Sequence, residues 1–149
     1  MSSLAIGLAE TDTDIARCFP VMVQLRPHLV EADFVARIRR MAAESYRLAF
    51  LTDETGVVRS VGGHRLMDRL HAGRMFYVDD LVTDAATRSR GHGDRLFDWL
   101  VARARALGCD EFALDSGTQR VEAHRFYLRK RMKISAFHFS FSLKTSPQA

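Results

Sequence analysis

The sequence predicts one domain of the α/β or α+β class, built around a mixed sheet. Three observations predict it. The chain is 149 residues long, the usual size of one domain with a sizeable core. Residues 46–83 hold three runs with strand character, joined by turn residues. Beyond residue 90, long helical patterns alternate with short apolar runs.

Taken in order, residues 4–8 form a short apolar run suited to an edge strand. Thr11 then caps a helix running from Asp12 into the 20s, with Asp14 reaching back to the cap residue's amide. Pro20 should kink or interrupt that helix, and Pro27 ends it. A second helix starts near Glu31, where Phe34, Val35, Ile38, Met41 and Ala42 form an apolar stripe. Arg37, Arg39 and Arg40 fall largely off the stripe and read as a solvated face.

Residues 46–52 and 57–66 read as a hairpin about Asp53-Glu54-Thr55-Gly56. The Gly62-Gly63 pair marks a bulge or a close backbone approach. Residues 67–72 read as a loop, and residues 74–83 as a third strand with two acids in its interior. Asp is a poor strand former. Alternation puts Tyr77, Asp79 and Leu81 on one face, and Phe76, Val78, Asp80 and Val82 on the other, unless a bulge intervenes. A long helix over residues 91–107 ends at Gly108, followed by a strand at 111–115 and a helix at 119–130. In the tail, alternating Phe137, Phe139 and Phe141 predict one or two strands with those rings in the sheet core.

Composition excludes several classes. Twenty-two basic against 18 acidic residues leave a net charge of +4, with no clustered basic tract, so nucleic acid is not an expected partner. No apolar run is long enough to span a membrane, and the first residues lack the pattern of a secretory signal. Cys18 and Cys109 suit unpaired thiols in a reducing, cytoplasmic setting. The six histidines make no metal-binding spacing, so no metal is expected.

The chemistry concentrates between Val82 and Gly93. A strand ends, a loop carries Arg88 and Arg90, and Gly91 and Gly93 open the long helix. Backbone N–H groups at such a corner form a concave cradle for phosphate oxygens, reinforced by the helix dipole. Neither a Walker A motif nor a dinucleotide fingerprint is present.

Arg88-x-x-Gly91-x-Gly93 resembles the acetyl-CoA motif of the GCN5-related N-acetyltransferase (GNAT) superfamily, written Gln/Arg-x-x-Gly-x-Gly/Ala. Ala123-His124-Arg125-Phe126-Tyr127 resembles that family's second signature, and the likeness is strongest over residues 75–127. It implies a mostly antiparallel twisted sheet with helices on both faces, forming one N-acetyltransferase domain over residues 1–149. It further implies that the pyrophosphate of acetyl-CoA rests on the amides of Arg88, Ser89, Arg90, Gly91, His92 and Gly93, and the pantetheine arm on Leu81, Val82 and Thr83. Tyr127 matches a tyrosine that protonates the leaving thiolate. Asp79 and Asp80 match acids that help deprotonate the amine, Asp79 standing where some members carry a longer Glu. Arg131-Met132 departs from the family's usual Gly-Phe, so a different turn is expected there.

The resemblance implies direct transfer to an amine in a ternary complex. A small-molecule amine is the first expectation, and a protein N-terminus or lysine the second. A non-catalytic acyl-CoA-binding module is the rival reading. A homodimer is also open. The acceptor site should be built by the first two helices, the loop before residue 73 and the tail, with Arg26 and His28 directed at it.

Overall fold

The computed structural model describes residues 4–145, which form two compact units divided between Leu114 and Asp115.

The first unit carries a five-stranded sheet in the order β1-β2-β3-β4-β5. Its strands are β1 (Ala5–Leu8), β2 (Arg47–Thr52), β3 (Val58–Arg69), β4 (Gly73–Thr83) and β5 (Glu111–Leu114). The first four pair antiparallel, and β5 runs parallel to β4. Helices α1 (Asp12–Arg17), α2 (Phe19–Leu25) and α3 (Glu31–Ala42) share a core with one face of the sheet. There Ile15, Met22, Phe34 and Ile38 meet Leu48, Val61 and Val82. Helix α4 (His92–Ala106) covers the other face, packing Leu96, Leu100 and Ala104 on Ala49, Phe76 and Val78. The mostly antiparallel sheet with helices on both faces is therefore present.

Local chemistry explains most boundaries. Thr11 Oγ1 accepts from the Asp14 amide at 3.1 Å, the expected cap. The Asp14 carboxylate, however, takes Arg17 Nη1 at 2.9 Å, so the reciprocal half of the capping box is replaced by an ion pair. Pro20 divides the first helical stretch at Cys18. It falls in the first turn of α2, where its missing N–H costs nothing.

Two sequence expectations fail. Residues 67–69 continue β3, pairing Met67 with Met75 and Arg69 with Gly73, so the expected six-residue loop shrinks to three residues. Cross-strand pairing overrides the polar local sequence there. In the second unit, residues 132–145 hold no strand. Phe137, Phe139 and Phe141 are 83%, 91% and 85% exposed and are not sheet core. Arg131 adopts φ 67°, the left-handed conformation that glycine favours.

Candidate active site

The site begins with a bulge. Val78 pairs with His64 and Asp80 with Gly63, which leaves Asp79 as the extra residue of β4. The bulge shifts the alternation. Phe76 and Val78 face α4, whereas Asp80 and Val82 turn to the α1–α3 face, so the unbroken alternation does not hold.

Both acids are held by arginine. Asp79 Oδ2 accepts from Arg65 Nη2 at 2.7 Å and from Arg65 Nε at 3.0 Å. Burial is the largest influence on Asp79 and lifts its carboxyl above the ordinary value, against the pull of Arg65. Asp80 Oδ1 accepts from Arg26 Nε at 2.9 Å, and Arg26 Nη2 also donates to the Asp79 carbonyl at 3.0 Å. Asp80 Oδ2 accepts from the Tyr46 hydroxyl at 2.8 Å. Burial, then the Asp80 charge, raises the Tyr46 phenol well above its ordinary value, so it stays a donor.

Asp80 and Tyr46 line a cavity of about 260 Å³. Helices α2 and α3 supply its apolar wall through Met22, Phe34 and Ile38. Arg26 and His28 also line it, as expected, but the turn between β3 and β4 does not. Sequence reasoning missed Tyr46, Arg65 and Arg37 as parts of this region. The Gly62-Gly63 pair was the available signal for Tyr46, because a Cβ at Gly63 would overlap the Tyr46 phenol.

Next to this cavity, β4 runs on beyond its pairing with β5. Strand β5 pairs only with Met75–Val78, so β4 from Asp79 to Thr83 has no partner from β5. Leu81, Val82 and Thr83 lie in this stretch. Asp84 then anchors the turn, accepting from Ala86 N at 3.1 Å, Gln24 Nε2 at 3.1 Å and Arg59 Nη1 at 2.9 Å. These bonds, led by that from Ala86 N, hold its carboxyl below the ordinary value.

A single 3-10 turn (Ala85–Thr87) leads through Arg88, Ser89 and Arg90 to Gly91, the N-cap of α4. Ser89 and Gly91 both have positive φ, 73° and 82°. Among the described residues no side chain caps the helix, which leaves the amides of His92 and Gly93 to a ligand. A Cβ on Gly91 would meet nothing within 4 Å, whereas one on Gly93 would lie 2.7 Å from Thr83 Oγ1. Gly93 therefore lets the helix start against the end of β4. His92 is buried, and its Nδ1 has no partner among the described residues. Uncapped amides, paired left-handed residues and open space at Gly91 fit a pyrophosphate.

The second unit holds α5 (Val121–Arg129). His124 Nε2 donates to the Gly117 carbonyl at 2.8 Å, tying the helix to its preceding turn. Tyr127 is half-buried, and burial lifts its phenol above the ordinary value, with Arg120 opposing.

Fold and loop together define a coenzyme-dependent acyltransferase. Residues 9–132 match the acetyltransferase (GNAT) family, and the chain belongs to it. It is 33% identical over 115 residues to the uncharacterized N-acetyltransferase YhdJ of Bacillus subtilis, spanning 77% of this chain and 81% of that protein. It is 34% identical over 98 residues to aminoalkylphosphonate N-acetyltransferase of Salmonella typhimurium, spanning 66% of this chain and 62% of that one. Among solved structures, the aminoglycoside N-acetyltransferase AAC(6')-Iy in complex with CoA has a similar fold. Its TM-score is 0.81 at 14% identity, covering 98% of this chain and 97% of that chain.

Proposed function

We propose that the chain transfers the acetyl group of acetyl-CoA to a small-molecule amine by direct attack in a ternary complex. The observation that carries this reading is the stretch of β4 at Asp79–Thr83 that β5 does not pair, which lies between the uncapped start of α4 and the cavity holding Asp80. At about 260 Å³ the cavity is close to the lower end of the volumes that small-molecule sites occupy. The Salmonella relative acts on an aminoalkylphosphonate and the structural neighbour on an aminoglycoside, both small amines.

Acetyl-CoA supplies the thioester carbonyl. In this reading the amides of Arg88, Ser89, Arg90, Gly91, His92 and Gly93 hold its pyrophosphate. Leu81, Val82 and Thr83 offer their backbone to the pantetheine amides, which need partners in a cleft. A backbone amide at Leu81 or Val82 polarises the carbonyl. As the C–N bond forms, the amine's proton leaves through Asp80 or Asp79, directly or by way of water. As the C–S bond breaks, the Tyr127 hydroxyl gives a proton to the sulfur, and its raised pKa keeps that proton in place beforehand. Of the two acids, Asp80 has the clearer path to an acceptor, because it lines the cavity.

One catalytic domain spanning the chain is part of the proposal, as the family match runs across Leu114. So is a cytoplasmic setting, supported by two free cysteines, Cys18 being buried with its thiol pushed up to about 12. Among the described residues, no helix is long and apolar enough to cross a membrane. A homodimer is supported by the tail, where Ile134, Phe137, Phe139, Phe141 and Leu143 stand 78–91% exposed.

The deciding test is thiol release from acetyl-CoA against a panel of amines and lysine peptides, beside calorimetry with acetyl-CoA. Binding with release driven by small amines is expected. Binding without release from any amine would leave a non-catalytic binding module. Release with peptides alone would move the acceptor to proteins.

A further inference from the structure

The cavity beside β4 has two unlike ends. Tyr46 and Asp80 form the buried end, with Tyr46 only 1% exposed. His28 and Arg37 form the exposed end, and Phe34 and Ile38 are buried apolar lining of the same cavity. The lining charges do not balance. Arg26 and Arg37 stand against Asp80 alone, and Arg26 is spent on Asp80 at 2.9 Å. Asp79, the neighbouring acid, is likewise spent on Arg65 at 2.7 Å. Arg37 has no ion pair among the described residues. A pocket built to attract a plain cation would leave its acids free and its arginines away. This one leaves a guanidinium without an ion pair, with an exposed imidazole lining the same cavity.

We propose that this exposed end is an anion subsite, so that the acceptor carries an anionic group, a carboxylate or a phosphonate, on the far side of an apolar body from its amine. Arg37 offers two parallel N–H donors to such a group, and His28 adds a third. The apolar wall holds the body of the molecule. The anion, gripped at the rim, directs the amine inward toward Asp80. Arg37 and His28 thereby select the acceptor and take no part in the bond changes. The inference rests on the acceptor reading of this cavity given above.

The test compares phenethylamine with its para-carboxylate and para-phosphonate derivatives, read as kcat/KM for thiol release from acetyl-CoA. Wild-type protein should favour at least one anionic derivative over phenethylamine by roughly tenfold or more, the yield of charge-assisted hydrogen bonds. Arg37→Gln should bring that ratio to within about threefold, mainly through KM, and Arg37→Lys should restore part of it. Arg37 lies on the exposed face of α3, so neither variant removes core contacts. The carboxylate and phosphonate arms identify which anion the subsite prefers. Equal turnover of all three amines, or a preference unchanged in Arg37→Gln, would overturn the subsite while leaving acetyl transfer intact. No thiol release from any amine, with acetyl-CoA bound, would overturn the acceptor reading and this inference with it.

Discussion

The Tyr46 phenol lies across the bare backbone of Gly63, and only the missing Cβ allows it. From there its hydroxyl reaches Asp80 Oδ2 at 2.8 Å, on the next strand over. Gly63→Ala should therefore displace the ring, cost about 1–3 kcal/mol of stability, and lower turnover by freeing Asp80 to rotate. Tyr46→Phe tests the bond by itself. It leaves a carboxylate oxygen short of a donor, with an expected cost of about 1–3 kcal/mol. Thermal unfolding and kcat/KM of both variants check this. A Gly63→Ala protein with wild-type stability would mean that the ring is not pinned there.

The loop glycines should fail in different ways. Gly91 has open space but φ 82°, so Gly91→Ala strains the backbone by roughly 1–2 kcal/mol and distorts the amide cradle. Gly93→Val pushes a side chain into Thr83, whose Oγ1 would sit 2.7 Å from the new Cβ. That separates the start of α4 from the end of β4. Calorimetry with acetyl-CoA should show weakened binding in both, and Gly93→Val should also lower the unfolding temperature. Wild-type affinity in both variants would remove the pyrophosphate from this loop.

Much of the frame was legible because local signals and tertiary packing agree. The stripe of α4, its stop at Gly108 and the Thr11 cap are short-range features, and each appears where its residues stand. The bulge at Asp79 was not fixed by alternation alone, since a period of two cannot say where one residue is added. Only the pairing of β4 with Gly63 and His64 reveals it. Likewise Arg65 and Arg26 are 14 and 54 residues from the acids they bind, a relationship carried by the sheet and by α2. The tail misled because alternating phenylalanines report a strand-like pattern without saying what would cover it.

The two acids of β4 should separate by mutation. Asp80 lines the cavity, so Asp80→Asn should lower kcat while leaving acetyl-CoA affinity within a few fold. Asp79→Asn leaves the partly buried Arg65 without its counter-charge, and loss of stability should be its main effect. A fall in kcat confined to Asp79→Asn, in a protein of normal stability, would transfer the proton relay to Asp79.

Tyr127→Phe keeps the ring and removes the proton. Turnover should drop by roughly tenfold to a thousandfold when chemistry limits the rate, with acetyl-CoA affinity and fold retained. Because burial raises the Tyr127 pKa, loss of activity from its ionisation belongs above its ordinary value of 10. Unchanged single-turnover rates in Tyr127→Phe would reduce the hydroxyl to a packing role.

His64 gives the fold a defined weakness to acid. It is 2% exposed and stacks on Phe76 with ring centroids 4.5 Å apart. Arg103 Nε lies 3.3 Å from Nε2 and can only donate, so Nε2 must be the acceptor. Nδ1 then carries the proton toward the Gly62 carbonyl, also at 3.3 Å. Both ring nitrogens are thus committed in the neutral form, and burial lowers the pKa from 6.5 to about 4. Between those values the unfolded chain binds the proton and the folded chain does not. Stability on this account is level above pH 6.5 and is lost as pH falls toward 4, by up to about 3 kcal/mol. His64→Gln should be less stable at neutral pH, through lost stacking, yet should lose less on acidification. Urea unfolding of both proteins at intervals from pH 7 to about pH 4 would reveal the difference in slope, and parallel slopes would show that His64 takes up its proton without unfolding the protein.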